Sequence, residues 1–237
     1  MSRLRIASYN TRDFLDDRAA AARLIRAIDP DVLCLQEVPR RLFAPQRVAA
    51  FAAECGLTWS GHHRGSGGTT IFTSLRVQVV ESKHFRLRVK LAQRTRGFAL
   101  ARVAIPGREP IAVASVHLSL DAAERAVHAR EILRATGTTD TVLCGDLNEQ
   151  SDGAAWQLIA TPLRLISPTK PTHPSWGPRR LLDVIFASPG IEPLPHVDIA
   201  LDPEDMSMAS DHRPVWVDVR TGPDDSSPSD RSDHGAA

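Results

Sequence analysis

Lysine, cysteine and long apolar runs are all scarce in this chain. Only Lys83, Lys90 and Lys170 accompany 26 arginines. A GC-rich coding sequence produces that bias as readily as a need for bidentate phosphate contacts, so it carries no functional weight. The three cysteines, Cys34, Cys55 and Cys144, are an odd number at long spacings. Two lie inside apolar runs, where a thiol acts as a small core residue, so neither a disulfide nor a zinc site is expected. No stretch approaches the roughly 18 apolar residues of a membrane span. Met1-Ser2-Arg3-Leu4 passes straight into strand-like sequence without a signal-peptide core, and the cytoplasm is the expected compartment. A net charge of +1 removes the case for a whole-molecule electrostatic nucleic-acid binder, while leaving room for a local basic surface.

What is present is an ordinary globular composition, 42% hydrophobic and 24% charged, which excludes a disordered or collagen-like chain. No linker divides the sequence, so one domain is expected over residues 1–220. A disordered tail is expected over 221–237, where TGPDDSSPSDRSDHGAA offers no large apolar side chain. Strand patterns cover Leu4–Tyr9, Val32–Gln36, Thr70–Ser74, Phe98–Ile105, Ile111–Leu118, Thr141–Cys144, Leu182–Ala187 and Pro214–Val219. Helical patterns cover Asp17–Ile28, Pro45–Cys55, Asp121–Ala135 and Gly153–Ala160. The class is α/β with additional antiparallel strands.

A weak internal repeat adds more than any single element. Ile6-Ala7-Ser8-Tyr9-Asn10, a helix and Val32-Leu33-Cys34-Leu35-Gln36-Glu37 are echoed by Val113-Ala114-Ser115-Val116-His117, a helix and Val142-Leu143-Cys144-Gly145-Asp146. Asn10 precedes Glu37 by 27 residues and His117 precedes Asp146 by 29, so each half is a strand–helix–strand unit of similar length. Ligands of α/β sheets collect at the carboxyl ends of strands. Two such units packed together would converge Asn10, Glu37, His117 and Asp146 on one cleft. For one strand, a polar terminus only marks where the chain leaves the core; four in two matched pairs favour a site.

Seven segments carry a family resemblance: Ala7-Ser8-Tyr9-Asn10, Leu35-Gln36-Glu37-Val38, Arg96-Gly97-Phe98-Ala99-Leu100, Val116-His117-Leu118, Gly145-Asp146-Leu147-Asn148, Leu182-Asp183-Val184-Ile185-Phe186 and Ser210-Asp211-His212-Arg213-Pro214. In this order they resemble the endonuclease/exonuclease/phosphatase superfamily, the deoxyribonuclease-I-like metal-dependent phosphoesterases. The resemblance runs from Arg5 to about Val219. It implies a four-layer α/β/β/α sandwich of two packed mixed sheets flanked by helices, with the active site across the paired sheets. It does not specify a substrate.

Phosphate esters resist hydrolysis because an anionic centre repels nucleophiles, so a catalyst needs a cation, an oriented water and hydrogen-bond donors. Asn10 and Glu37 offer hard oxygen ligands suited to Mg²⁺ or Mn²⁺. Asp146 is the candidate general base, and Asn148 a donor to a phosphate oxygen or the nucleophile. Asp183 sits inside an apolar strand and needs a partner, for which His212 is the candidate; their hydrogen bond would favour an imidazolium that grips a phosphate oxygen. By family resemblance Asp211 lies near the metal, His117 is a second phosphate-facing histidine, and Arg96 binds phosphate or braces a carboxylate.

Other features read more plainly. Arg86, Arg88 and Lys90 alternate on a strand-like run, which fits protection of an exposed sheet edge better than tracking of a polyanion. His62-His63 and Gly65-Ser66-Gly67-Gly68 lack the Gly-Lys-Ser/Thr of a phosphate-binding loop and read as a mobile loop at the cleft rim. Gly68-Thr69-Thr70-Ile71-Phe72-Thr73-Ser74 departs from the family pattern by lacking an amide and an arginine, which puts substrate contacts there in doubt. The segment bearing His117 resembles the deoxyribonuclease, sphingomyelinase and inositol-phosphatase branches more than abasic-site endonucleases.

The sequence therefore points to a monomeric Mg²⁺- or Mn²⁺-dependent phosphoesterase whose substrate is nucleic acid or a smaller phosphate ester. The competing reading is a catalytically inactive phosphate- or nucleic-acid-binding module that retains the fold. A nuclease should bind with steep salt dependence, unlike a small-substrate enzyme.

Overall fold

The computed structural model describes residues 3–60, 65–91 and 93–220. The expected tail and the His62-His63 pair lie outside the described residues. Among the described residues the chain runs β1 Arg3–Asn10, α1 Arg18–Ile28, β2 Val32–Gln36, α2 Ala44–Glu54, β3 Thr58–Trp59, β4 Thr70–Thr73, β5 Gln78–Leu87, β6 Arg96–Ala104, β7 Ile111–His117 and α3 Ala122–Thr136. It continues through β8 Thr141–Asp146, α4 Ala154–Ala160, β9 Arg164–Leu165, β10 Asp183–Ala187, β11 Glu192–Pro193, α5 Pro203–Met208 and β12 Val215–Arg220.

Local chemistry sets the main boundaries. The Asp17 side chain accepts the N–H groups of Ala19 and Ala20 at the start of α1, and Asp121 accepts that of Glu124 at the start of α3. Each helix thus begins on a carboxylate that satisfies donors otherwise left orphaned.

The strands form two six-stranded sheets, ordered β11-β12-β1-β2-β4-β3 and β5-β6-β7-β8-β10-β9. Each is centred on one parallel pair. β1 and β2 align Asn10 with Gln36, and β7 and β8 align His117 with Asp146. Antiparallel neighbours flank both pairs, β12 and β4 in one sheet, β6 and β10 in the other. The internal repeat is therefore a structural repeat.

Period-2 alternation builds the layers. Ile6, Val32 and Cys34 face Val113, Val142 and Cys144 between the sheets. Tyr9, Leu33 and Leu35 turn outward beneath Leu24, Ile25 and Phe51 of the first helix layer. Val116, Leu143 and Phe186 do the same beneath Ile132, Trp156 and Ile159. Each such aliphatic or aromatic side chain contributes about 1.5–3 kcal/mol on burial, so both sheets are covered on both faces and the result is the α/β/β/α sandwich. All three cysteines are free and buried.

Toward the strand carboxyl ends the inter-sheet interior turns polar. Gln36 Nε2 donates to Ser115 Oγ at 3.1 Å, and Ser115 Oγ donates to the Leu35 carbonyl at 2.9 Å. Ser8, the repeat counterpart of Ser115, accepts from Gln36 Nε2 at 3.2 Å. This buried layer separates the apolar core from the side chains above it. Gly145 permits the approach of β7 and β8 just below: a Cβ there would stand 2.0 Å from the Val116 carbonyl oxygen, and its φ is +150°.

The structure adds elements with weak sequence signals. β5 is a ten-residue edge strand, mostly exposed, whose QVVESKHFRL lacks a continuous apolar face. Of the three alternating cations, Arg86 lies on β5 and is exposed, as an edge strand requires, whereas Arg88 and Lys90 fall beyond its end at Leu87 in the connection to β6 and are not strand residues. The reading of Gly65–Gly68 as a mobile rim loop is corrected for Ser66–Gly68, which is packed, while Gly65 is exposed. Ser66 and Thr69 are fully buried and hydrogen-bonded to each other, and Gly67 lies so close to the Arg96–Gly97 backbone that a Cβ would stand 2.5 Å from the Arg96 carbonyl carbon.

Candidate active site

Asn10, His117 and Asp146 are the last residues of β1, β7 and β8, and Glu37 directly follows β2. The sandwich brings all four together. Asn10 Nδ2 donates to Asp146 Oδ2 at 3.1 Å, while His117 Nε2 lies 3.4 Å from that oxygen and 3.8 Å from Glu37 Oε1. Glu37 adopts φ +51°, outside the strand, and its side chain remains partly open.

Asp183, the first residue of β10, is fully buried, and its Oδ2 accepts from His212 Nδ1 at 2.8 Å. His212 Nε2 stands 3.8 Å from Asp146 Oδ2. Ser210 ties this loop to the first half by donating to the Asn10 carbonyl at 2.7 Å. Asp211 is partly exposed beside Arg12, 3.6 Å away. Asn148, at φ +50°, donates its backbone N–H to Asp146 Oδ1 at 2.8 Å and its side-chain amide to the Leu118 carbonyl. Arg96 is buried and donates to the same carbonyl at 3.0 Å.

Burial and charge set the protonation states. Burial lowers the His212 imidazolium, but the attraction and hydrogen bond of Asp183, with Asp146 and Asp211 behind, override it and hold the ring at about 10. Burial pushes Asp146 up to about 6, the charge of His212 pulling it down and that of Asp183 pushing it up. His117 is driven well below the usual imidazole range, first by burial and then by Arg96 and His212. Its Nδ1 is buried without a hydrogen-bond partner, so the proton of the neutral ring belongs on Nε2, facing the two carboxylates.

Sequence reasoning missed three neighbours. Arg94 lies 2.8 Å from Asp13 and 3.5 Å from Glu37, and His173 packs its ring 4.7 Å from that of His212. Arg180 donates to His173 Nδ1 at 2.9 Å. These residues lie outside the named helices and strands, where no periodicity announces them, although His173 and Arg180 pair as an isolated antiparallel bridge. A cavity of about 420 Å³ opens beside Asn148 between Arg125, Gln150 and Arg180. Another of about 340 Å³, under Trp216 and Met206, adjoins the site only through Thr172 and Arg213.

The donor set fits a hard dication on the Glu37 side. The Glu37 carboxylate accepts no hydrogen bond among the described residues, and Arg94 is held off at 3.5 Å. Asn10 Oδ1 accepts from the Arg12 N–H at 3.1 Å and retains a second lone pair. Potential ligand atoms also cluster within 4.8 Å in His173, Asp211 and His212 and in Asp146, Asp183 and His212. His212 Nδ1 is committed to Asp183 and His173 Nδ1 to Arg180, which leaves the Nε2 atom of each ring and the carboxylates of Asp211 and Asp146 among the atoms these clusters offer.

A family model described as the Endonuclease/Exonuclease/phosphatase family matches residues 7–212. The chain belongs to that family. Its members make it a metal-dependent phosphoester hydrolase in general terms. The fold is shared with a functionally unknown conserved protein from Enterococcus faecalis V583, at TM-score 0.78 and 21% identity, covering 92% of this chain and 100% of that one. An endonuclease/exonuclease/phosphatase from Bacteroides vulgatus superposes at 0.73 with 18% identity, covering 94% and 100%. The human Nocturnin catalytic domain with bound sulfate superposes at 0.69 with 18% identity, covering 93% and 95%. No curated protein matches the sequence. No helix among the described residues is long and apolar enough to cross a membrane.

Proposed function

We propose that this family member hydrolyses phosphodiesters by attack of water on phosphorus, using Mg²⁺ or Mn²⁺ bound by Glu37, Asn10 and Asp211. The observation that carries this reading is the convergence on one carboxylate, Asp146, of Asn10 from one sheet, His117 from the other and His212 from the closing loop. When bound, the cation supplies Lewis-acid polarisation of a phosphoryl oxygen and lowers the cost of deprotonating water.

The protein residues do the rest. Asp146, poised at about 6, is ionised near neutrality yet basic enough to orient the attacking water and take its proton. The Nε2–H of His212, whose ring stays charged through its bond to Asp183, donates to a phosphoryl oxygen as negative charge builds. His117 donates from its neutral ring, and Asn148 offers a further amide donor at the mouth of the 420 Å³ cavity. Arg96, buried on the Leu118 carbonyl, braces the His117–Asn148 segment. Three free buried thiols suit a reducing compartment, in keeping with a cytoplasmic enzyme.

The test is a panel of plasmid DNA, abasic DNA, RNA, sphingomyelin or lysophospholipid and inositol phosphates, each with and without divalent metal and with Asp146→Ala as the blank. Metal-dependent hydrolysis lost in the blank is the expected result. Turnover equal in wild type and blank contradicts the mechanism.

A further inference from the structure

Seven large apolar side chains among the described residues are 65% exposed or more. Six lie on connections at the end of the sheets that carries the active site. Leu15 lies beyond β1, Leu42 and Phe43 beyond β2, and Leu120 beyond β7. Leu91 belongs to the β5–β6 connection, which reaches the same end because Gly97 pairs with His117. Trp176 belongs to the loop entering β10, where Asp183 pairs with Asp146. The seventh, Leu75, follows β4 at the opposite end, where Thr73 pairs with Val32. Apolar surface gathered at one end of a soluble domain marks a surface that becomes covered.

Charge identifies the cover. The rim carboxylates Asp13, Asp16, Asp121 and Glu149 are paired with Arg94, Arg12, Lys90 and Arg125 respectively, Glu37 shares Arg94 and Asp211 shares Arg12, and exposed Asp152 has no cation partner among the described residues. Arg40, Arg41, Arg88, Arg179 and Arg180, on the loops that bear Leu42, Leu91 and Trp176, have no carboxylate partner among the described residues. On these loops the arginines without a carboxylate outnumber Asp152, so the apolar side chains are interleaved with more unpaired positive than negative charge. A nucleic-acid strand would use aromatic platforms for its bases, and four of these six residues are leucines, which cannot stack. An anionic lipid interface accepts leucine, phenylalanine and tryptophan into the acyl boundary while arginines meet the headgroups.

We propose that the mouth of the active site docks on an anionic lipid surface, so that the phosphate ester it cleaves is presented at that interface. The docking surface stands on exposure and charge alone; its bearing on the substrate rests on the phosphoesterase reading.

The test uses the full chain with vesicles of phosphatidylcholine alone or mixed with phosphatidylglycerol, read by co-sedimentation and tryptophan emission. Binding should be roughly tenfold stronger to the anionic vesicles and weaken with salt. The blue shift should vanish in Trp176→Phe. Leu91→Asp combined with Leu120→Asp, or Arg41→Glu combined with Arg179→Glu, should lower binding about tenfold while leaving turnover of soluble bis(p-nitrophenyl) phosphate within about twofold. Asp146→Ala should bind as wild type does. Absence of a preference for anionic vesicles overturns the proposal. So does loss of self-association in the leucine variant, which would make the rim a self-interface, or single-stranded oligonucleotide binding that the arginine variant loses while vesicle binding is unchanged. Vesicle binding without hydrolysis of any phosphoester would remove the catalytic reading alone, and hydrolysis without vesicle binding would remove this one.

Discussion

The units β1–α1–β2 and β7–α3–β8 share a backbone plan and a polar residue at each strand end, yet they differ in what those ends do. The first delivers an amide and a carboxylate, Asn10 and Glu37; Glu37 stays partly open to solvent and accepts no hydrogen bond among the described residues. The second delivers His117 and Asp146, both nearly inaccessible and both shifted by burial. Equal scaffolds thus produce unequal electrostatics. An open carboxylate remains an anionic ligand, whereas a buried one becomes a base near neutrality. On the proposed reading, the first half would hold the cation and the second would move the proton.

That division can be broken by substitution. Asp146→Ala should lower kcat for bis(p-nitrophenyl) phosphate by roughly a hundredfold or more, and added metal should not restore it. Circular dichroism would establish that the variant is folded. Glu37→Gln should behave differently: the half-saturating Mg²⁺ concentration should rise about tenfold or more, with much of the rate recovered at high metal. If metal rescues Asp146→Ala and fails to rescue Glu37→Gln, the roles are reversed.

A pH series sharpens the contrast within the second half. In metal-free protein the folded state holds the His212 proton to about 10, against an ordinary value of 6.5. The stability from this group is therefore complete below 6.5 and is lost as pH rises through about 10. Asp146, raised from 3.8 to about 6, adds a slope of the same sign at lower pH, because the folded state again binds the proton more tightly. Thermal unfolding should show Tm falling between about pH 7 and about pH 10, and His212→Gln should flatten that fall. An unchanged slope would remove the charged imidazolium from the account.

The smallest effect concerns the polar layer joining the halves. Ser115→Ala removes the donor to the Leu35 carbonyl and the acceptor of Gln36, and should cost about 1 kcal/mol. Tm should fall by about 2–4 °C. No change in Tm would make the layer incidental to the joining of the sheets.

The sequence made the central strands legible because each is a short apolar run ending in a polar residue, and the near-equal spacing of the two units exposed their pairing. The Asp183–His212 contact could be anticipated because a carboxylate inside Leu182-Asp183-Val184-Ile185 requires a partner. β5 could not be read the same way: an edge strand with one solvated face needs little apolar patterning. Arg94, His173 and Arg180 were illegible for another reason. Their proximity to Glu37 and His212 is made by loop paths and not by any local preference. The packed Ser66–Gly68 stretch was misread because Gly67, a residue type that suggests freedom, serves close approach to Arg96 and Gly97.

Single-turnover cleavage of bis(p-nitrophenyl) phosphate in ¹⁸O-labelled water, with and without Mg²⁺, tests most directly whether the two halves jointly direct water at phosphorus. The account predicts label in p-nitrophenyl phosphate, none in p-nitrophenol, and a rate that collapses without the cation. Label in the phenol, or a rate indifferent to the cation, would contradict it.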